Sequence, residues 1–271
     1  MPQLWMNYYA MNYLVKPFDN IKIRQAFALA LNKEVIAHTV LHDTVLATNH
    51  IIPQGQPGYN PALTGPAGVS SPVGDSGLAL QLLQQGLQEE GMNELPAVTL
   101  TYAEDSLAAE NEVEAVQRIW QSALSIKINL QQLSFADLIN KENDSLNNSH
   151  GLQLWRLAYI ADYPDPQDWT TLQFGQGSAL NTVNYGQNSS STTAEQQAIQ
   201  HQLQRADSLS DQNERTQLYQ QSEQQLVNDV AWLPVYQVEE SYLLRANVMG
   251  YRMNALDIIP ADDWAKIYMV Q

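Results

Sequence analysis

The chain has 271 residues, 44% of them hydrophobic, with 29 acidic against 13 basic side chains and a formal net charge of −16. That length buries a sizeable core in one large domain or two small ones, and the composition excludes wholesale disorder. The acidic balance argues against nucleic-acid binding, which needs a basic face, and the lack of cysteine excludes disulfides, zinc–thiolate sites and thiol nucleophiles.

Residues 4–14, rich in Trp, Tyr, Met and Leu, read as a strand. Met1-Pro2-Gln3 leads straight into it without a signal peptide, so the chain reads as a piece cut from something longer. Asp19 or Asn20 is a candidate N-cap for a helix through Ile23, Phe27, Ala30 and Leu31, and a second helical stretch runs through Val35, Ile36 and Val40. Residues 53–77 are crowded with Pro, Gly and Ser and read as loop.

A helix from about Leu78 to Gln88, closed by Gly91, precedes a strand at 97–102. An amphipathic helix at 109–124 presents Val113, Val116, Ile119, Trp120 and Ala123 on one side. SIKINLQQL (125–133) alternates as a half-buried strand does, then come a short helix, FADLINKEN, and a strand at 152–160. Beyond a polar loop, helices are predicted at 194–209 and 212–228, a strand at 232–238, and an irregular end with short strands from 243 to 271. Strands alternating with helices predict an α/β protein. No apolar run reaches the roughly 20 residues that span a bilayer.

Three motifs invite chemical readings. GDSG (74–77) matches the tetrapeptide around a serine-protease nucleophile, but it runs directly into a helix, and Asp75 or Ser76 as an N-cap explains it more simply. His38 and His42, with Glu34 one turn earlier, would share one helix face, a spacing open to a transition metal or to an ordinary polar face. ADYPDPQDW (161–169) places Asp162, Asp165 and Asp168 just after a strand. Their spacing does not fit a calcium loop, and Pro164 and Pro166 stiffen the segment. Asp165 or Asp168 starting a helix-like DWTTLQF is the plain reading for those two. Asp162 sits where α/β folds present ligands. No Walker loop, GxGxxG or HExxH occurs.

The segments PFDNIKIRQAFALALNKEVI, IPQGQPGYNP, DSGLALQLLQQGLQEEGM, AVTLTY, EVEAVQRIWQSALSIKINLQQLSFADLI, AYIADYPDPQDW and ERTQLYQQSEQQLVNDVAWLPVYQVEESYLL follow one another in an order that resembles the extracellular solute-binding protein family 5, the oligopeptide and dipeptide receptors of ABC importers. The likeness covers nearly the whole chain; Asn32 departs from it, since an Asp is usual before the basic residue there. It implies one lobe of a type II periplasmic-binding-protein fold: a mixed sheet flanked by helices, with hinge strands at both ends. Residues 1–14 would be a hinge strand, 15–242 the C-terminal ligand-binding lobe, and 243–271 a return segment toward an N-terminal lobe that is not present.

The same resemblance implies a binding protein without catalysis or cofactor, extracytoplasmic (periplasmic or a cell-surface lipoprotein). Its partners would be a peptide, the importer's membrane subunits and the other lobe. Asp162 would receive the peptide's α-ammonium, Tyr159 would line the cleft, and Arg156 would take the peptide carboxylate. Tyr163 and Trp155 complete the candidate ligand-binding set, which includes no metal ligand. Six extended residues span roughly 20 Å, so Arg156 and Asp162 are not simply each other's partners; a fold-internal ion pair is the plain alternative for Arg156. Other solutes, such as a nickel complex or a sugar, and a hydrolase using the Asp162/Asp165/Asp168 cluster are the rival readings.

Overall fold

In the computed structural model, which describes residues 1–104, 106–256 and 258–270, a six-stranded mixed sheet is sandwiched between two helical layers. Its strands are β1 (Pro2–Met11), β2 (Val45–Ala47), β3 (Val98–Ala103), β4 (Ile128–Leu133), β5 (Leu154–Ile160) and β6 (Leu233–Glu239), in the order β2-β6-β1-β5-β3-β4. β1 runs antiparallel to both β5 and β6, whereas β3 is parallel to β4 and β5.

Alternation along β1 divides the interior in two. Tyr9 and Met11 join one core with α1 (Ile21–Ala30), α2 (Ser76–Glu89) and α3 (Leu107–Leu124). Leu4, Met6, Tyr8 and Ala10 join the other, together with Trp155, Trp169 and Trp232 and with residues of α4 (Phe135–Asn143), α7 (Thr193–Ser208) and α8 (Gln212–Asn228). A strand covered on both faces reads as a continuous apolar run, which is why residues 4–14 show no clean alternation. Their strand lies in the middle of the sheet, and the Leu4 amide donates to the Ala255 carbonyl in the final segment.

Local signals set the helix ends. Asn20 caps α1 by accepting from the amides of Lys22 and Ile23, Asp75 caps α2 from Leu78, and Ser106 caps α3 from Ala109. Before Asp75, Gly74 sits at φ +76°, where a side chain would put Cβ 2.2 Å from the Leu29 carbonyl oxygen. GDSG is therefore a tight turn and a helix cap. β4 starts at Ile128, three residues later than its pattern suggests, because Ser125 turns left-handed (φ 54°) to end α3. β2, three residues long, carries too little pattern to be predicted.

The second helical stretch is a π-helix at Val35–Val40, and Asn32 lies between helices, where its side chain accepts from the Val35 amide. His42 falls beyond that helix in a left-handed conformation (φ 55°), so the expected shared face with His38 does not form. His38 instead contacts Glu34 at 2.7 Å and the Asp43 carboxylate. Among the described residues no cluster of three or more His, Asp or Glu side chains is arranged for a metal, and no helix is long and apolar enough to cross a membrane. The end of the chain forms a small hairpin, β7 (Val248–Met249) with β8 (Tyr268–Met269), around α9 (Ala261–Trp264). Positions 257 and 271 of the expected return segment lie outside the described residues.

Two side chains test this packing. Trp120, fully buried between Tyr9 and Phe27, donates its indole N–H to the Phe27 carbonyl at 2.8 Å. Trp120→Ala is expected to lower the unfolding free energy in urea by about 3–5 kcal/mol. Glu142 of α4 accepts from the Thr182 hydroxyl at 3.1 Å, and burial raises its pKa from 4.5 to about 7. Between those values the folded chain keeps a proton that the unfolded chain has lost, so stability falls as pH rises through this window and levels off above it. The urea midpoint is expected to drop between pH 5 and pH 8, and Glu142→Gln to flatten that slope.

Candidate ligand-binding site

The parallel strands β3, β4 and β5 all point their C-terminal ends the same way, and the ADYPDPQDW turn leaves β5 at that end. The helices after β3 and β4 start there too. Around it stand exposed apolar side chains: Leu107 (72%), Phe135 (56%) and Ile160 (52%), with Trp5 and Tyr163 beside them. Such a grouping marks an interaction surface.

The turn is assembled from three carboxylates with three different fates. Asp165 caps α5 (Pro166–Trp169) by accepting from the Gln167 amide at 2.9 Å, and Pro166 occupies the first helical position. Its two oxygens also take Nη1 and Nη2 of Arg215 in α8 at 2.8 and 2.7 Å, a planar two-bond pairing. Burial works to raise the Asp165 pKa, but the Arg215 and Gln167 hydrogen bonds outweigh it and leave the carboxyl below its ordinary value. Arg215 stacks over Tyr219, whose hydroxyl bonds Asp207, so the turn is tied to α7 and α8 together. On the outer side, Gly58 (φ +90°) lets the Pro/Gly loop lie against Pro166; a Cβ there would come within 2.6 Å of the proline ring.

Asp168 is fully buried. It accepts from the Tyr159 hydroxyl at 2.7 Å and from the Asp162 amide at 3.0 Å, while burial pushes its pKa up. It is the inner anchor of the turn rather than a helix cap. Asp162 remains exposed. Among the described residues its side chain hydrogen-bonds the Tyr159 hydroxyl, at 3.4 Å, and no cationic side chain pairs with it.

Tyr159 is half-buried, edge-on to Trp169 with centroids 5.2 Å apart. Burial, followed by the Asp168 and Asp162 carboxylates, drives its pKa far above the usual phenol value, so the hydroxyl keeps its proton. Tyr163 is 37% exposed and donates to Gln167 at 3.2 Å. These residues form one constellation.

Arg156 and Trp155 do not belong to it. Alternation along β5 sends Trp155 into the α7–α8 core, where it is 0% exposed, so it cannot touch a guest on the open side. It was expected beside the ligand, and the structure places it in the core. Arg156 points to the opposite face, toward α3. Its Nε and Nη2 both lie 3.0 Å from Glu112 Oε2, and Nη2 also reaches Asn7 and the Tyr236 hydroxyl. Glu112 is fully buried and further accepts from Tyr9 and Tyr236. The fold-internal ion pair is the reading these contacts support. Arg156 borders a depression of about 410 Å³ that is also lined by Trp5, Phe135 and Ile160, three of the exposed apolar side chains at the strand ends, although its own side chain alternates to the face opposite Tyr159. Sequence reasoning missed Glu112, an acid within the amphipathic helix, and Arg215, whose partner is 50 residues away.

The sequence profile of bacterial extracellular solute-binding proteins, family 5, matches residues 1–181. The chain belongs to that family. Among family 5 relatives, the dipeptide-binding protein DppE of Bacillus subtilis is 26% identical over 257 residues, 92% of this chain and 43% of that protein. The periplasmic oligopeptide-binding protein OppA of Salmonella typhimurium is also 26% identical, across 92% of this chain and 42% of its own length. This chain thus spans less than half of the relatives it matches. The fold is that of a type II periplasmic binding protein. The Escherichia coli murein tripeptide binding protein MppA superposes with a TM-score of 0.73 at 21% identity, over all of this chain and 49% of that one. For the oligopeptide-binding protein AppA of Bacillus subtilis, in complex with a nonapeptide, the TM-score is 0.72 at 17% identity, over all of this chain and 52% of that one.

The buried pair gives a direct test. Neutralising one partner of a buried, hydrogen-bonded pair is costly, and Glu112 also serves Tyr9 and Tyr236. Glu112→Gln is expected to lower stability by about 3–5 kcal/mol in urea titrations. A loss below about 1 kcal/mol would mean that other groups or water take over the pairing of the Arg156 guanidinium.

Proposed function

We propose that this chain is the C-terminal lobe of a peptide receptor serving an ABC importer outside the cytoplasm, binding without catalysis. Asp162 receives the peptide's α-ammonium group, with Tyr159 and Tyr163 forming the adjacent wall. The observation that carries the reading is the fate of the three carboxylates. Asp165 is neutralised by Arg215 and Asp168 is buried under hydrogen bonds, while Asp162 alone of the three is exposed without a counter-ion. It stands at the carboxyl end of a central strand, where open α/β sheets take their ligands.

The exposed apolar side chains around the turn support a second element of the reading. They suit a surface that closes against another lobe over the guest, as hinge-type receptors do when a ligand shifts their open–closed equilibrium. The segment 243–270 carries further exposed apolar residues, among them Leu243, Trp264 and Met269, and its role in this reading is to return toward that lobe. The relatives named as dipeptide- and oligopeptide-binding proteins make peptide the first guest to test.

Calorimetry with trialanine tests the reading. The protein as its complete gene encodes it is expected to bind, whereas residues 1–271 alone, holding half of the site, bind weakly or undetectably. A charge-assisted hydrogen bond contributes about 1.5–3 kcal/mol, so Asp162→Asn is expected to weaken binding roughly 10- to 150-fold. Unchanged affinity in that variant would refute the assignment of Asp162.

A further inference from the structure

Tyr159 has one hydroxyl proton and two carboxylates to give it to. Its oxygen is 2.7 Å from Asp168 Oδ1 and 3.4 Å from Asp162 Oδ2. The shorter contact is an ordinary strong O–H···O⁻ bond, and the longer one exceeds the usual range for such a bond. Asp168 is also the acceptor with more to lose, because it is buried and an unsatisfied buried carboxylate oxygen is costly. The Asp162 amide fixes its other oxygen, and Gln173 holds its backbone carbonyl, so this carboxylate has little freedom to look elsewhere. The proton therefore points inward.

With that proton committed, the Tyr159 oxygen meets Asp162 through lone pairs only. A neutral phenol has no second hydrogen, so the two oxygens that face the open side, 3.4 Å apart, are both acceptors. The edge-on Trp169 ring and the β5 backbone hold Tyr159 in place, and the Asp162 amide bond to Asp168 holds the other partner. One N–H donor with several hydrogens and a positive charge satisfies both oxygens at once.

We infer that Asp168 is a positioning residue that turns Tyr159 from a donor into an acceptor, so that Tyr159 and Asp162 together select a protonated primary amine. The inference rests on the receptor reading above and deepens it. Were the tyrosine to donate to Asp162 instead, it would partly satisfy the carboxylate that has to receive the guest, and the site would discriminate less between an amine and a neutral end. The buried acid thus sets the polarity of a wall it does not itself line.

The test compares two probes in calorimetry on the protein as its complete gene encodes it: trialanine, and propanoyl-Ala-Ala, which has the same shape with hydrogen in place of the ammonium. The readout is the dissociation constant of propanoyl-Ala-Ala divided by that of trialanine. Asp168→Asn puts an amide N–H₂ against the Tyr159 oxygen and frees its proton toward Asp162. The ratio is expected to fall roughly tenfold or more, the size of one charge-assisted hydrogen bond. Tyr159→Phe, which removes the second acceptor without touching Asp168, is expected to lower the ratio about three- to tenfold and serves if the Asp168 variant does not fold. A merely structural role weakens both probes equally and leaves the ratio unchanged. An unchanged ratio in either folded variant overturns the inference while trialanine binding by the unmodified protein keeps the receptor reading. Failure of the unmodified protein to bind trialanine sinks that reading, and this inference with it.

Discussion

The placement of β1 between β5 and β6 is the constraint from which the rest of the architecture follows. Antiparallel pairing with β5 fixes register residue by residue, with Tyr9 opposite Arg156 and Met6 opposite Tyr159, while the pairing with β6 shifts register twice. Because side chains alternate, that register also decides which of them can ever meet. Arg156 and Tyr159 are three positions apart, so one goes to the α3 face and the other to the α7–α8 face. Asp162 thus finds the tyrosine beside it, while the arginine belongs to the opposite side of the sheet.

Electrostatics then sort an acidic chain into charges that hold the fold and charges that are left open. Glu112 with Arg156, and Asp165 with Arg215, pair carboxylate and guanidinium in or near the interior. Such pairs contribute geometry more surely than they contribute stability. Among the described residues Asp168 has no cationic partner and is accommodated by donors instead. The carboxylate left over is on the turn that the other two make rigid.

Much of this was legible in the chain itself. Helix starts at Asn20 and Asp75 are written in side chains that accept from the first free amides, and the period of residues 109–124 places Val113, Val116 and Trp120 in the core. The distinct character of Asp162 was readable too, because position after a strand is a local property. What was not legible depends on contacts between distant segments. Nothing in LQLWRLAYI separates Trp155, fully buried, from Tyr159, half-buried on the same face nearer the strand end, until the helices that cover that face are in place. Likewise Asp165 and Asp168, three apart in one short motif, take different roles only because Arg215 arrives from α8 to meet one and Tyr159 from β5 to meet the other. The π-helical winding at 35–40 left no mark in composition, and it is what separated His38 from His42.

The tie from Asp165 to Arg215 has a mechanical consequence. Through Arg215 and Tyr219 the turn is fastened to two long helices, and through the Ala161 amide it is fastened to the Leu4 carbonyl of the middle strand. A load applied at the acceptor carboxylate therefore spreads into helix and sheet alike, instead of being absorbed by a pliant loop. Whatever engages it has to move the whole body or leave it still.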